Sequence, residues 1–181
     1  EALEKQVSRE IDVMRVTDED GFTRWAVSSI GIGIDAYVAQ RVLELQAKKF
    51  GKLGYAIEFV RGLFSFDPFD MHLVADGIHT DAEEVWICIS MNSEELGGGL
   101  IFYPGASAYD GVLNFGYLSH GSRLYLLRAV LHVFRGTHVS MPGIYMGEAR
   151  TLSIHPSWDV PMHLDGELVE AKFPITIEIL P

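Results

Sequence analysis

The 181 residues predict an α+β, strand-dominated, β-sandwich-like domain with about three helices, and three observations predict it. Short runs of alternating apolar and polar residues recur along the chain, punctuated by Asp-Gly and Gly-rich turns. Apolar residues at helical spacing appear in three stretches, from Asp35, from Leu53 and from Ser122. No internal repeat, low-complexity tract or linker divides the chain, so residues 1–181 read as one domain.

Glu1–Ser8 reads as a helix tail, and Glu10–Val16 as a half-buried strand. The turn Asp18-Glu19-Asp20-Gly21 leads into Phe22–Ile30 as the second strand of a hairpin, which Gly31 and Gly33 end. A helix runs from Asp35, its expected N-cap, to about Lys48, and a second from Leu53 through Leu63. His72–Asp76 and Glu84–Met91 flank an Asp76-Gly77 turn, the latter apolar enough to be covered on both faces. Gly97–Gly99 and Pro104–Gly111 form a long loop before the strand Val112–Leu118. Ser119 or Ser122 caps the helix Ser122–Phe134, whose Leu124, Leu127, Val130, Leu131 and Phe134 share the side expected to pack on the core. Strands at Ala149–His155, Val160–Leu168 around the Asp165-Gly166 turn, and Pro174–Leu180 close the chain.

Composition excludes several classes of function. Hydrophobic residues at 48% and charged residues at 22% are an ordinary globular mix. Fourteen Lys and Arg against twenty-five Asp and Glu give a net charge of -11, which repels a phosphate backbone and argues against nucleic acid as a partner. No apolar run approaches the roughly 20 residues of a membrane span. The single cysteine, Cys88, lies in an apolar run as a buried, inert thiol, which suits a reducing cytoplasmic setting. The opening Glu-Ala-Leu-Glu-Lys-Gln has no initiator Met and predicts a piece of a longer protein.

Gly31-Ile-Gly-Ile-Asp35 sits between a strand and a helix, as a dinucleotide-binding turn does, but position 36 is Ala where that fingerprint needs its next glycine. The spacings of the seven histidines match no zinc motif, so ordinary hydrogen-bonded roles are expected for His132, His138, His155 and His163. Two Asp-Gly pairs point to chemistry besides turn formation. Glu167, directly after Asp165-Gly166, is held at a strand edge where a carboxylate acts as a general base. The carbonyl-rich loop around Asp110 offers oxygen ligands to a hard cation, Mg²⁺ or Ca²⁺.

The order of these pieces resembles the C-terminal domain of the soluble bacterial diacylglycerol kinase and lipid kinase family, related to sphingosine kinases and more distantly to NAD kinases. The residues that carry the resemblance are Gly31-Ile-Gly-Ile-Asp35-Ala36, Lys48-Lys49-Phe50-Gly51-Lys52-Leu53-Gly54-Tyr55, Asn92 with Gly97-Gly98-Gly99, Pro104 to Leu113 around Asp110-Gly111, Gly136-Thr-His138 and Asp165-Gly166-Glu167. The resemblance implies a two-domain enzyme that moves the γ-phosphoryl group of ATP to a lipid hydroxyl. The family's nucleotide-binding Gly-Gly-Asp-Gly tetrapeptide is absent from this sequence, so this half is expected to be inactive alone and to work with an N-terminal nucleotide-binding domain.

By the same resemblance, Glu167 in the Asp165-Gly166-Glu167 turn matches the proton acceptor for the lipid hydroxyl, and Asp165 is expected beside it as a second catalytic residue. Asp110 with Ser107 and Val112 matches a Mg²⁺ site that braces the long loop through the Asp oxygen and backbone carbonyls. Asp35 matches the polar-head region of the bound lipid, and Lys48, Lys49 or Lys52 face phosphate. Phe64, Phe66, Phe69 and Met71 are expected mainly in the core, with an apolar lipid groove as the alternative. The implied partners are a lipid with a free hydroxyl and transient contact with a membrane surface. A non-catalytic lipid-binding module and a NAD kinase relative are the competing readings.

Overall fold

The computed structural model describes residues 9–45, 51–96 and 99–181. The described chain runs β1 (Val13–Thr17), β2 (Thr23–Ala26), β3 (Ser29–Gly33), α1 (Ile34–Glu44), α2 (Gly51–Ser65), β4 (Phe69–Ala75) and β5 (Ile78–Met91). It continues through β6 (Glu95–Leu96), β7 (Leu100–Ile101), β8 (Leu113–Ser119), α3 (Arg123–Val133) and a 3₁₀ turn at His138–Ser140. β9 (Ile144–Ala149), β10 (Thr151–Pro156), β11 (Met162–Leu164), β12 (Glu167–Val169) and β13 (Ile175–Leu180) complete it. The strand-dominated α+β reading holds. The expected helix tail at residues 1–8, Gly97 and Gly98 lie outside the described residues.

The long strand β5 organises the sheet. Its first half pairs with β4 and its second half lies between β3 and β8, every pairing antiparallel. The switch falls at a bulge, where the register shifts against both β4 and β8 and Glu84 adopts φ 50. A bulge bends a strand and increases its twist, which lets one strand serve both layers of a curled sheet. Asp70 accepts the Glu84 N–H there at 3.0 Å, so the disrupted ladder keeps its hydrogen bond. One arm runs β4-β10-β13-β1-β2, the other β3-β11-β12, and β8 continues to β9. Alternate residues of these strands, among them Met14, Ile30, Ile32, Leu73, Leu113, Leu152, Ile154, Ile175 and Ile177, point inward and are fully buried.

Three local expectations change. The stretch after the first turn is two strands rather than one. β2 pairs with β1, whereas β3 leaves that ladder for β5 and β11, so the chain turns a corner at Val27–Ser28. β9 pairs with β8 and precedes β10, a strand that the mixed composition of Ile144-Tyr-Met-Gly-Glu-Ala149 concealed. The side of α3 expected to face the core faces outward. Leu126, Ala129 and Val133 are buried, while Leu124, Leu127, Leu131 and Phe134 are exposed. Three helical stripes compete in so apolar a helix, and packing against the sheet selects the one with the small Ala129. The Ser122 cap forms, its side chain accepting from the Tyr125 N–H.

Candidate functional site

The Asp165-Gly166-Glu167 turn joins β11 to β12 at one end of the β3-β11-β12 arm. Asp165 holds φ 50 and points its carboxylate back into the chain. Its oxygens accept the backbone N–H groups of Val27 at 2.7 Å, Ser28 at 2.8 Å and Ser29 at 2.8 Å. Those are the donors left unpaired where the chain crosses from β2 to β3, and a carboxylate that accepts several N–H groups makes strong, charge-assisted hydrogen bonds. Asn92, fully buried, closes the other side of the corner by donating to the carbonyls of Asp12 and Val27 at 2.7 and 2.9 Å. Asp165 is thus committed to the backbone.

Asp35 is not the expected cap of α1. The helix starts at Ile34 with Gly33 in the capping position, at φ 110, where an added Cβ would lie 2.5 Å from the Trp86 carbonyl oxygen. Only glycine meets both demands. Asp35 falls in the first turn, near the positive end of the helix dipole. Its Oδ2 accepts from Nε2 of His163, 3.0 Å away, and its Oδ1 is buried with no hydrogen-bond partner among the described residues. The Gly166 N–H donates to the other ring nitrogen of His163, Nδ1, at 3.3 Å. One imidazole therefore spans the space between the start of α1 and the turn that carries Glu167.

Gly31 makes the pair sterically feasible. A Cβ at position 31 would fall 2.0 Å from Asp35 Oδ2 and 2.3 Å from His163 Nε2, inside their hydrogen bond. The glycine motif of the sequence thus clears space for a carboxylate and an imidazole, with no nucleotide involved. His163 is almost wholly buried, and burial, the largest influence on its ring, favours the neutral form. The hydrogen bond and charge of Asp35, with the charge of Asp165, outweigh it and hold His163 above the ordinary imidazole range. Cys88 on β5 is fully buried, and burial together with the Asp35 charge pushes its thiol up to about 12, which makes it the inert thiol expected.

Glu167 is exposed at the first residue of β12, opposite Leu164. It projects from a turn whose backbone is fixed by Asp165 and His163, so its carboxylate is accessible on a rigid base, the arrangement a proton acceptor needs. Lys48 and Lys49 lie outside the described residues.

Asp110, Ser107 and Val112 fall in the loop between β7 and β8. Asp110 is exposed, and its Oδ1 accepts the Val112 N–H at 3.0 Å, a local turn bond. Buried Asp12 ties the loop to the strand arm, donating its N–H to the Ala108 carbonyl at 2.9 Å and accepting the Gly111 N–H at 2.7 Å. From the far side, His138 contacts the Phe102 carbonyl through Nε2 at 2.9 Å. No group of three or more His, Cys, Asp or Glu side chains among the described residues is placed to hold a metal ion. An exposed carboxylate with backbone carbonyls in the same loop is nonetheless the donor type that Mg²⁺ takes.

Beneath α2 and α3 lies an apolar cavity of about 70 Å³, lined by Ile34, Phe59, Tyr117, Leu126, Val130 and Met146 among others. Ile34, which lines it, is the residue before Asp35, whose side chain is partly buried. Phe66, Phe69 and Met71 are core residues rather than groove lining, and of that group Phe64 alone is exposed. Sequence reasoning assigned no function to His163 and overlooked Asp12. The available signals were a histidine between Met162 and Leu164 in an otherwise apolar strand and an aspartate beside Ile11 and Val13.

Residues 28–181 match a protein-family model described as the YegS C-terminal NAD kinase beta sandwich-like domain. The chain belongs to this family. The match begins at Ser28, at the corner Asp165 closes, so the β3 glycines, Asp35, His163 and Glu167 all lie within the family domain. Among curated relatives, a Diacylglycerol kinase of Mycobacterium tuberculosis is 26% identical over 171 residues, 94% of this chain and 54% of that protein. The chain spans about half the length of the curated relatives it matches. A crystal structure of a diacylglycerol kinase from Bacillus anthracis superposes with a TM-score of 0.70 at 20% identity, over 99% of this chain and 56% of that one, and shares the fold. Among the described residues no helix is long and apolar enough to cross a membrane.

Proposed function

We propose that this chain is the acceptor-side, C-terminal domain of an ATP-dependent lipid kinase, which transfers the γ-phosphoryl group to the hydroxyl of a diacylglycerol-like lipid. The observation that carries the reading is the partly buried Asp35 carboxylate, one oxygen of it without a partner, tied through His163 to the turn of Glu167 and next in the chain to Ile34, which lines an apolar cavity. An amphipathic acceptor needs that combination. At about 70 Å³ the cavity is well below the roughly 300 Å³ of an ordinary ligand pocket, so acyl chains would have to open it or lie along the exposed apolar residues of α2 and α3. Curated relatives named as diacylglycerol and lipid kinases support the same conclusion.

In this reading Asp35 accepts a hydrogen bond from the polar head of the lipid. Glu167 orients the acceptor hydroxyl and takes its proton as the oxygen bonds to the γ-phosphorus, while the bond from that phosphorus to the β-phosphate oxygen breaks and ADP leaves. In a loose phosphoryl-transfer transition state, orientation matters more than early deprotonation. The N-terminal half of the full-length protein would bind ATP and its Mg²⁺, with Lys48 or Lys49 facing phosphate. A second Mg²⁺ on Asp110 and the Ser107 and Val112 carbonyls would brace the loop and take no part in the chemistry. A cytoplasmic protein in transient contact with the membrane surface fits this scheme.

The test is phosphate transfer from labelled ATP to diacylglycerol in mixed vesicles by the whole gene product. Glu167→Gln is expected to lower kcat on the order of 10²–10³-fold with an unchanged unfolding midpoint. Residues 1–181 alone should transfer no phosphate. A Glu167→Gln enzyme with full turnover would sink the assignment and favour a lipid-binding module without chemistry.

A further inference from the structure

We propose that His163 is a positioning residue of this site, which through its Nε2–H tautomer holds the Asp35 carboxylate with one ring nitrogen and the Gly166 N–H of the Glu167 turn with the other. The inference rests on the functional reading above and extends it to a residue that touches neither substrate nor product.

Four observations support it. The two contacts of the ring, to Asp35 Oδ2 at 3.0 Å and from the Gly166 N–H at 3.3 Å, require Nε2 to donate and Nδ1 to accept, so one neutral tautomer satisfies both. The ring itself is almost wholly buried, so its two hydrogen bonds form in a low-dielectric setting that strengthens them. Position 31 carries no side chain where a Cβ would strike both partners of the hydrogen bond. Asp35 Oδ1, held in place by the bond to its sister oxygen, remains without a partner and supplies the acceptor for a ligand hydroxyl. Asp35 and Glu167 lie 132 positions apart in sequence, and His163 bridges the Asp35 carboxylate and the backbone N–H of Gly166, the residue before Glu167.

The arrangement has two protonation states with different consequences. The charged groups acting on the ring are Asp35 from α1 and Asp165 from the turn. The strand partners of His163, Gly31 on β3 and Leu168 on β12, carry none. A protonated ring keeps its pairing with Asp35, and that contribution to stability is complete below about pH 6.5 and fades as pH rises through the raised folded value. The Gly166 bond follows the opposite course, because a proton on Nδ1 removes its acceptor. Acid therefore removes one of the bonds that hold the Glu167 turn, leaving those of Asp165, while Asp35 stays held.

Two measurements decide the matter. In long-range ¹H–¹⁵N spectra of the 181-residue chain, His163 at about pH 8.5 should show the Nε2–H tautomer with Nδ1 as acceptor. On acidification the Gly166 amide should shift with the same midpoint as the ring, and Asp35→Asn should move that midpoint down. An Nδ1–H tautomer, or a Gly166 amide indifferent to the ring, overturns the proposal. In the whole gene product, His163→Ala should lower kcat on the order of 10²-fold, as small misplacements at reacting groups do, with the KM for ATP unchanged. His163→Gln, which restores a donor to Asp35 but cannot titrate, should recover part of that loss and abolish the acid limb of the pH–rate profile that coincides with the ring. A folded His163→Ala enzyme with parental kcat and pH profile also overturns it. If the parent phosphorylates no lipid, the functional reading falls, whereas the spectra still decide the role of His163.

Discussion

Asp165-Gly166 and Asp110-Gly111 are the same dipeptide with different consequences. Both glycines take positive φ, 85 and 67, so both pairs turn the chain as their composition dictates. Asp110 then bonds locally, to the Val112 N–H two residues on, and its side chain stays in solvent. Asp165 reaches 136 to 138 residues back in sequence and takes three backbone donors at the β2–β3 corner. Asp76-Gly77 behaves as Asp165-Gly166 does, since Asp76 accepts the N–H groups of Arg150 and Thr151. A local signal specifies the turn, but whether the carboxylate becomes a long-range tie depends on which orphaned donors the tertiary fold brings to it.

Breaking the tied turn should cost most. Gly31→Ala, which places a methyl group inside the Asp35–His163 bond, is expected to lose about 3 kcal/mol in denaturant titration, the upper part of the range for overpacking. Asp165→Ala should lose about 2 kcal/mol by removing charge-assisted acceptors from three N–H groups, one of them part-buried. Because Asp165 is committed to the backbone, its effect on turnover should follow its effect on folding, unlike that of Glu167.

A carboxylate away from both turns provides a control. Buried Glu58 on α2 lies between Arg61 at 2.7 Å and Arg41 at 3.0 Å. Burial alone would raise its carboxyl, but the two guanidinium groups outweigh burial and hold it below the usual carboxylate range. A depressed folded value adds stability above the unfolded value of about 4.3, and that increment disappears as pH falls through the folded one. Glu58→Gln should therefore flatten the acid limb of stability against pH, read from thermal midpoints between about pH 3 and 6. The smallest change is expected at Asp110→Ala, about 0.5 kcal/mol for one exposed turn bond. A parental response of its thermal midpoint to added Mg²⁺ would also remove the proposed loop metal.

Much of this fold is legible along the chain. The strands at Val13–Thr17, Leu113–Ser119 and Ile175–Leu180, the Ser122 cap and the Asp76-Gly77 turn appear close to where local spacing and turn chemistry place them, whereas β4 starts at Phe69, ahead of the expected His72, and β5 at Ile78, ahead of Glu84. Those signals arise within a few residues of one another, so the sequence carries them directly. The strand break at Val27–Ser28 was not legible, because nothing in Trp25-Ala-Val-Ser-Ser-Ile30 interrupts a strand until Asp165 and Asn92 arrive to take its backbone groups. The outward face of α3 was not legible either, since the helix offers several apolar stripes and the sheet chooses among them.

The candidate site divides along the same line. By itself the sequence determined the class of fold, the Asp-Gly-Glu turn, the glycines before α1 and a net charge of -11, all consequences of residue type and spacing. Only the tertiary structure decided that Asp165 is a tie for the backbone, that Gly31 makes room for a hydrogen bond and that His163 joins Asp35 to the Glu167 turn. A hydrogen bond depends on distances of about 3 Å between atoms more than a hundred residues apart, and packing of the curled sheet sets those distances.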